Sequence, residues 1–309
     1  MFRVKQINSE TVEPVKFVDH QADKRPVKGA NIFPDVYCNI FCCARKKSGK
    51  TCAIAKIIDK CSTSETRIIA FVSTLHRDNT WRAIEKMCSE RDISFTGFTS
   101  IKDLETKEDI LESILKALGE PGKADDKNKE KELDTNPVLM GGGGEHQKKK
   151  KKKPKEQAPK IIFIFDDLSG ELLSPSVTKL LKEHRHYQCK TIISSQYWND
   201  IVLQGRMQID YILLYQGLAN SIQKMKDIYS NLDLSVEFDQ FMDLYSYATE
   251  ERFHFLYINK VESTFRKDFT HEITVPLLLS PLAASDWGAR ERPSNGISVS
   301  AGVRGAVSG

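Results

Sequence analysis

Val36-Tyr37-Cys38-Asn39-Ile40-Phe41-Cys42-Cys43 runs directly into Ala44-Arg45-Lys46-Lys47-Ser48-Gly49-Lys50-Thr51. The first part is an apolar run of strand length. After it, Thr51 to Cys61 carries Ile54, Ile57, Ile58 and Cys61 at helical spacing. Strand, tight loop, helix is the context in which a loop binds phosphate. Its backbone N–H groups converge on the anion, and the helix N-terminus adds the positive end of its dipole. The loop fits G-x-x-x-x-G-K-[ST] except at its first position, where Ala44 replaces glycine. Alanine is tolerated there if its backbone keeps a negative φ. In this pattern Lys50 reaches the β- and γ-phosphates and the Thr51 hydroxyl sits on Mg²⁺. Arg45, Lys46 and Lys47 either add phosphate affinity or are simply solvated. The competing reading is a chance basic loop after a strand.

Further along, Ile161-Ile162-Phe163-Ile164-Phe165 precedes Asp166-Asp167. An unalternated run of β-branched and aromatic residues predicts a strand buried on both faces, hence a parallel sheet flanked by helices. Two adjacent carboxylates at a strand end are costly unless a cation or a catalytic task keeps them there. Asp166 is placed to hold Mg²⁺ opposite Thr51, and Asp167 to act as general base on an attacking water. An acidic strand-to-loop turn is the bland alternative, and it suits one Asp better than two.

Lys190 to Ser195 reads as a neighbouring strand that ends at Gln196. An amide there could hydrogen-bond the γ-phosphate or the lytic water, although for Gln196 alone a polar strand cap is the better explanation. Arg185 and Arg206 lie near the edges of flanking strands. Either could reach a nucleotide on an adjacent subunit and stabilise transition-state charge, but most arginines are surface residues.

The remaining segments alternate in the same way. Arg67–Val72, Ser94–Phe98 and Tyr211–Tyr215 read as strands. Thr80–Arg91, with Trp81, Ile84 and Cys88 on one side, reads as a helix. Helices are also expected over 104–118 capped by Asp103, from Ser174-Pro175 to about His186, and over 219–231 and 236–247. Phe253–Ile258 and Ser263–Phe269 read as a terminal hairpin. The predicted fold is α/β: a doubly wound, mostly parallel sheet flanked by helices, with a C-terminal β-hairpin. Ligand chemistry then belongs at the carboxyl ends of the strands.

Three segments fall outside that pattern. Residues 1–30 read as an N-terminal arm or a single edge strand. Residues 119–160, with Gly141–Gly144 and lysines from Lys148 to Lys153, bury too little apolar surface to fold and read as a disordered insertion. It interrupts a domain spanning 31–280, because matching motifs lie on both sides. Residues 281–309 are Gly/Ser/Ala-rich and read as a disordered tail. The lysine run has three readings: a salt-sensitive contact to phosphate backbones, a nuclear localisation signal, or an inert solvated loop.

With 40% apolar and 28% charged residues, the 309-residue chain can bury a core in water. No apolar run approaches the roughly 18–20 residues of a membrane helix, so no membrane insertion is expected. The N-terminus lacks a signal-peptide core, so secretion is not expected. Seven cysteines without a C-x-x-C pair suit reduced thiols in a cytosolic or nuclear compartment, all seven serving as small buried hydrophobes. The net charge of +4 is dominated by unevenly placed lysines and says little about the folded part.

Taken in order, Ile164-Phe165-Asp166-Asp167, His184-Arg185-His186, Thr191-Ile192-Ile193 with Gln196, and Leu203-Gln204-Gly205-Arg206 form a series. It resembles the poxvirus-type DNA-packaging ATPases of large double-stranded DNA viruses, in the FtsK/HerA-like branch of P-loop motors. The likeness covers roughly residues 36–270 without the insertion. It implies an ATPase that binds ATP and Mg²⁺, assembles as a ring such as a hexamer, and moves double-stranded DNA into a capsid. By matching position, Lys50 and Thr51 bind nucleotide and metal, and Asp166 and Asp167 are the metal and base carboxylates. Gln196 is the sensor, and Arg185 or Arg206 the trans-acting arginine, with Arg185 favoured. Capsid or portal-vertex proteins are implied partners. The implied location is the cytoplasm or nucleus of an infected cell, or the virion. Ala44 and the lysine-rich insertion depart from the shared pattern.

Two other classes remain open on the same loop. A nucleotide or small-molecule kinase would need a lid and an acceptor site, and no arginine-rich lid is visible. A nucleotide-dependent DNA-binding scaffold with little turnover is kept alive by Ala44.

Overall fold

The computed structural model describes residues 25–103, 105–119, 156–218 and 221–275, and residues up to Ile273 form one compact unit. Most of the 1–30 arm, the bulk of the 119–160 segment and the 281–309 tail lie outside the described residues.

Among the described residues the core is one nine-stranded sheet. In chain order the strands are β1 Asn39–Cys43, β2 Arg67–Val72, β3 Ser94–Phe98, β4 Ile161–Asp166, β5 Cys189–Ser195, β6 Tyr211–Tyr215, β7 Phe255–Asn259, β8 Thr264–Lys267 and β9 His271–Ile273. Their spatial order is β3-β2-β4-β5-β1-β6-β7-β8-β9. The first six in that order pair in parallel and the last three add antiparallel. The sheet is therefore α/β and mostly parallel, as the unalternated strands predict. Every residue of β1, β4, β5 and β6 is buried, which is what helices on both faces require.

The seven helices are α1 Lys50–Cys61, α2 Asn79–Glu90, α3 Ile110–Gly119, α4 Pro175–Glu183, α5 Leu203–Arg206, α6 Ile222–Tyr229 and α7 Phe238–Ala248, among the described residues. On α1, Ile54, Ile57, Ile58 and Cys61 are buried, and on α2 Trp81, Ile84 and Cys88. These are the faces their spacing marked out.

Several expectations are corrected. The helix expected over 104–118 starts only at Ile110. Asp103 Oδ1 instead accepts from the N–H groups of Glu105 and Thr106, closing a turn, and Asp109 Oδ1 accepts from Glu112 N as the actual cap. The helix from Ser174-Pro175 stops at Glu183, and the first strand begins three residues later than its apolar run. The expected C-terminal hairpin forms as β7 and β8, with additions. β7 pairs with β6, and a third strand, β9, extends it. Cys52 is exposed, so only six of the seven free cysteines serve as buried hydrophobes. Burial pushes the thiol of Cys88 up to about 11, so it is inert at neutral pH.

Two parts of the family-like motif series prove architectural. His184 is buried, with Nδ1 within 2.9 Å of Leu181 O and 3.1 Å of Asn39 Nδ2, so it pins the start of β1 to the end of α4. A Cβ on Gly205 would come within 2.7 Å of Ile201 Cγ2 and 3.2 Å of Leu181 Cδ1. The glycine thus lets α5 lie against α4. No helix among the described residues is long and apolar enough to cross a membrane.

Candidate active site

At the carboxyl end of β1, Ala44 N donates to Ser195 O at 3.0 Å, so the chain is still paired with β5 as it leaves the sheet. Ala44 is fully buried and is not among the residues with positive φ. The condition under which alanine replaces glycine there is met, and its methyl packs in the core. The loop then curls through two left-handed residues, Lys47 at φ 62 and Gly49 at φ 90. Gly49 is the N-cap of α1, and no side chain caps that end. The first turn also holds no acidic residue that would compete with an anion there.

Lys50 is the first helical residue and only 7% exposed. Its Nζ lies 3.0 Å from Asp166 Oδ1 and also donates to Asp167 Oδ1. Burial works against the charge on Lys50. The Asp166 and Asp167 carboxylates outweigh that, and its pKa is raised.

How two consecutive residues meet one ammonium is a backbone question. In an extended strand, neighbouring side chains point to opposite faces. Asp166 is the last residue of β4, and Asp167 follows at φ 55, a left-handed turn that Asp tolerates better than most residues. That turn breaks the alternation and brings both carboxylates onto Lys50. The loop stays tethered by Asp167 N donating to Ser194 O at 3.3 Å.

Asp166 has a further partner that the sequence did not reveal. The buried indole of Trp81 donates from Nε1 to Asp166 Oδ2 at 3.1 Å. Helical spacing accounted for the ring as core and gave no sign of the N–H. Trp81→Phe removes this donor from a buried carboxylate. The expected loss is about 1–3 kcal/mol of unfolding free energy, read from the urea midpoint at constant slope.

Gln196 immediately follows β5, which lies between β1 and β4. It is half-buried and lines a cavity of about 520 Å³ together with Cys43, Arg45, Lys46, Tyr197 and Leu218. Thr51, the second residue of α1, is half-buried beside Lys50.

The arginines sit differently. Arg185 is exposed in the turn that feeds the amino end of β5, at the sheet edge opposite Lys50. The structure does not bring it to this chain's own loop. Arg206 lies on α5 and donates from Nη1 to Asn199 Oδ1 at 2.9 Å, and Asn199 is part of the cavity wall.

On the other side of the loop, Phe253 packs against Gly49. A Cβ on that glycine would lie 3.3 Å from Phe253 Cδ1.

The donor set fits a phosphate and a metal ion. Ser48 Oγ is buried in the loop without a hydrogen-bond partner. Orphaned buried polar atoms of this kind are uncommon and mark places where a ligand completes the bonding. Thr51 and Asp166 would be the residues to offer the hard oxygen donors Mg²⁺ prefers.

No protein-family model matches this chain, and no curated protein does. Similar solved structures do exist. One is the genome packaging NTPase B204 of Sulfolobus turreted icosahedral virus 2 in complex with AMP. It is 14% identical over 78% of this chain and 100% of that chain, with a TM-score of 0.43. The same protein in complex with ATP-gammaS is 15% identical over 75% of this chain and 96% of that chain, with a TM-score of 0.41. The DNA-packaging ATPase B204 from Sulfolobus turreted icosahedral virus is 14% identical over 74% and 95%, with a TM-score of 0.43. Likeness at this level does not transfer residue roles, so those of this chain rest on its own geometry.

Proposed function

We propose that this chain is an ATP-hydrolysing motor subunit that works in a ring and translocates double-stranded DNA, packaging a viral genome. The observation that carries the hydrolytic part is the meeting of Lys50 with Asp166 and Asp167 beside an uncapped helix N-terminus. The motif series from Asp166 to Arg206 adds the packaging branch.

The strand order supports hydrolysis in particular. β5 separates the loop strand from the carboxylate strand. Two interstrand spacings put β1 and β4 roughly 10 Å apart. Lys50 reaches across that gap to Asp167, so a phosphoryl group and a water would take the ammonium's place there, with Gln196 after the intervening strand. In this reading the loop N–H groups and Lys50 bind the β- and γ-phosphates. Asp167 orients the water and accepts its proton at a carboxylate oxygen. Thr51 and Asp166 hold Mg²⁺, which supplies charge neutralisation on the phosphate oxygens. Gln196 hydrogen-bonds the water or the γ-phosphate. Arg185, at the opposite end of the strands, would serve a neighbouring subunit in a head-to-tail ring. Arg206 is the second candidate, acting through Asn199.

The test combines ATPase turnover, with and without duplex DNA, and native mass measurement with and without nucleotide. Turnover stimulated by DNA, together with a nucleotide-dependent oligomer, is the expected result. DNA-independent turnover by a chain that stays monomeric sinks the motor. Phosphate delivered to an acceptor instead of water points to a kinase. Intact ATP after long incubation with DNA and Mg²⁺ points to a scaffold.

A further inference from the structure

We infer that Phe253 is the stacking platform for the nucleobase of the bound nucleotide, an inference that rests on the phosphate-site reading above. Four observations converge on it.

The first is position. The catalytic end of the site is fixed by Asp166 and Asp167 on β4 and by Gln196 after β5, all to one side of β1. A nucleotide whose terminal phosphate points there can extend its base to the other side, over β6 and β7. Tyr215, the last residue of β6, pairs with Phe255, the first of β7, so Phe253 stands at the same sheet edge as the loop. The 520 Å³ cavity, lined by Gln196 after β5 and by Leu218, Lys224 and Ile228 beyond β6, includes neither Gly49 nor Phe253.

The second is contact. The flank of Phe253 lies against Gly49, immediately before Lys50. A base resting on the ring would be within a nucleotide's length of the helix N-terminus.

The third is exposure. Phe253 is 56% exposed, a large apolar surface left in solvent beside a polar site. Its ring already accepts a flat partner, because the Arg252 guanidinium lies 4.7 Å from its centroid. A base is a flat π system of similar thickness and would take that place.

The fourth is backbone strain. Phe253 has φ 74, a left-handed conformation that an aromatic residue rarely adopts. Its neighbours hold it there. His254 bonds Asp268 through Nδ1, Phe255 N donates to Asp268 Oδ1, and Gln216 Nε2 donates to Glu250 O. Strain maintained by surrounding bonds at the rim of a site is the kind that function retains.

The experiment compares binding of ATP and of inorganic tripolyphosphate to the full chain and to Phe253→Gly and Phe253→Trp. Glycine is at ease at φ 74, so Phe253→Gly keeps the fold, checked by its melting temperature. The expected result is ATP binding weakened about tenfold or more in Phe253→Gly, tripolyphosphate binding unchanged, and ATP binding kept in Phe253→Trp. ATP binding unchanged in Phe253→Gly overturns the inference and leaves the phosphate site standing. Equal weakening of both ligands also overturns it, because the ring would then act through the loop. If the unaltered chain binds neither ligand, the phosphate-site reading falls and takes the inference with it.

Discussion

Lys50→Ala is expected to lower ATP turnover by about 10²–10³-fold, the usual cost of removing one group aimed at transition-state charge. The same change should also weaken the fold. Lys50, with a side chain 9% exposed, lies between Asp166 at 4% and Asp167 at 30%. Removing it leaves a buried carboxylate without its cation, a defect that costs about 3–5 kcal/mol. Turnover and urea midpoint should therefore fall together.

The pH dependence separates the ion pair from mere packing. Because the folded pKa of Lys50 is raised, its contribution is fully present below the unfolded value of about 10.4 and is lost as pH rises through the folded value. The intact chain should lose stability on that alkaline limb, and Lys50→Met should lack this component. An identical alkaline limb in both proteins would mean that the pair contributes nothing.

Asp167→Asn is expected to lower turnover by about 10²–10⁴-fold, as loss of a general base does, while the fold survives. Asn tolerates the left-handed backbone that Asp167 adopts at φ 55. It also keeps an acceptor near the Lys50 ammonium, at reduced strength. ATP binding, measured apart from turnover, should hold or tighten, because the loop lysine is then less firmly claimed. An Asn variant that hydrolyses ATP at the original rate would remove Asp167 from the mechanism. One that neither binds nor hydrolyses would show that the change damages the loop itself.

How much of this was legible in the sequence depended on the kind of interaction. The strands from Ile161 and Tyr211 announced themselves because burial on both faces demands unbroken apolar runs. The loop and the Asp pair were legible because phosphate and carboxylate chemistry restricts residue type at fixed spacing. The start of α3 was not. Asp103 and Asp109 are both competent caps followed by suitable N–H groups, and which one opens the helix is settled by tertiary contacts. One of these is Asp109 Oδ2, which accepts from Ser174 Oγ and Ser176 Oγ. Trp81 was read as core because helical periodicity sees the ring and not the N–H. Phe253 carried no signal, since nothing about an aromatic residue predicts a left-handed backbone. The brief third strand of the C-terminal meander is too short to show a period.

The ammonium of Lys50 can serve the Asp pair or a phosphate, but not both fully. Binding a phosphate would therefore cost part of the ion pair that steadies the loop. While the ammonium rests on the Asp pair, it occupies the place a phosphate would take. In the proposed ATPase, nucleotide loading and local stability would thus share one side chain, and a substitution that alters one would be felt in the other.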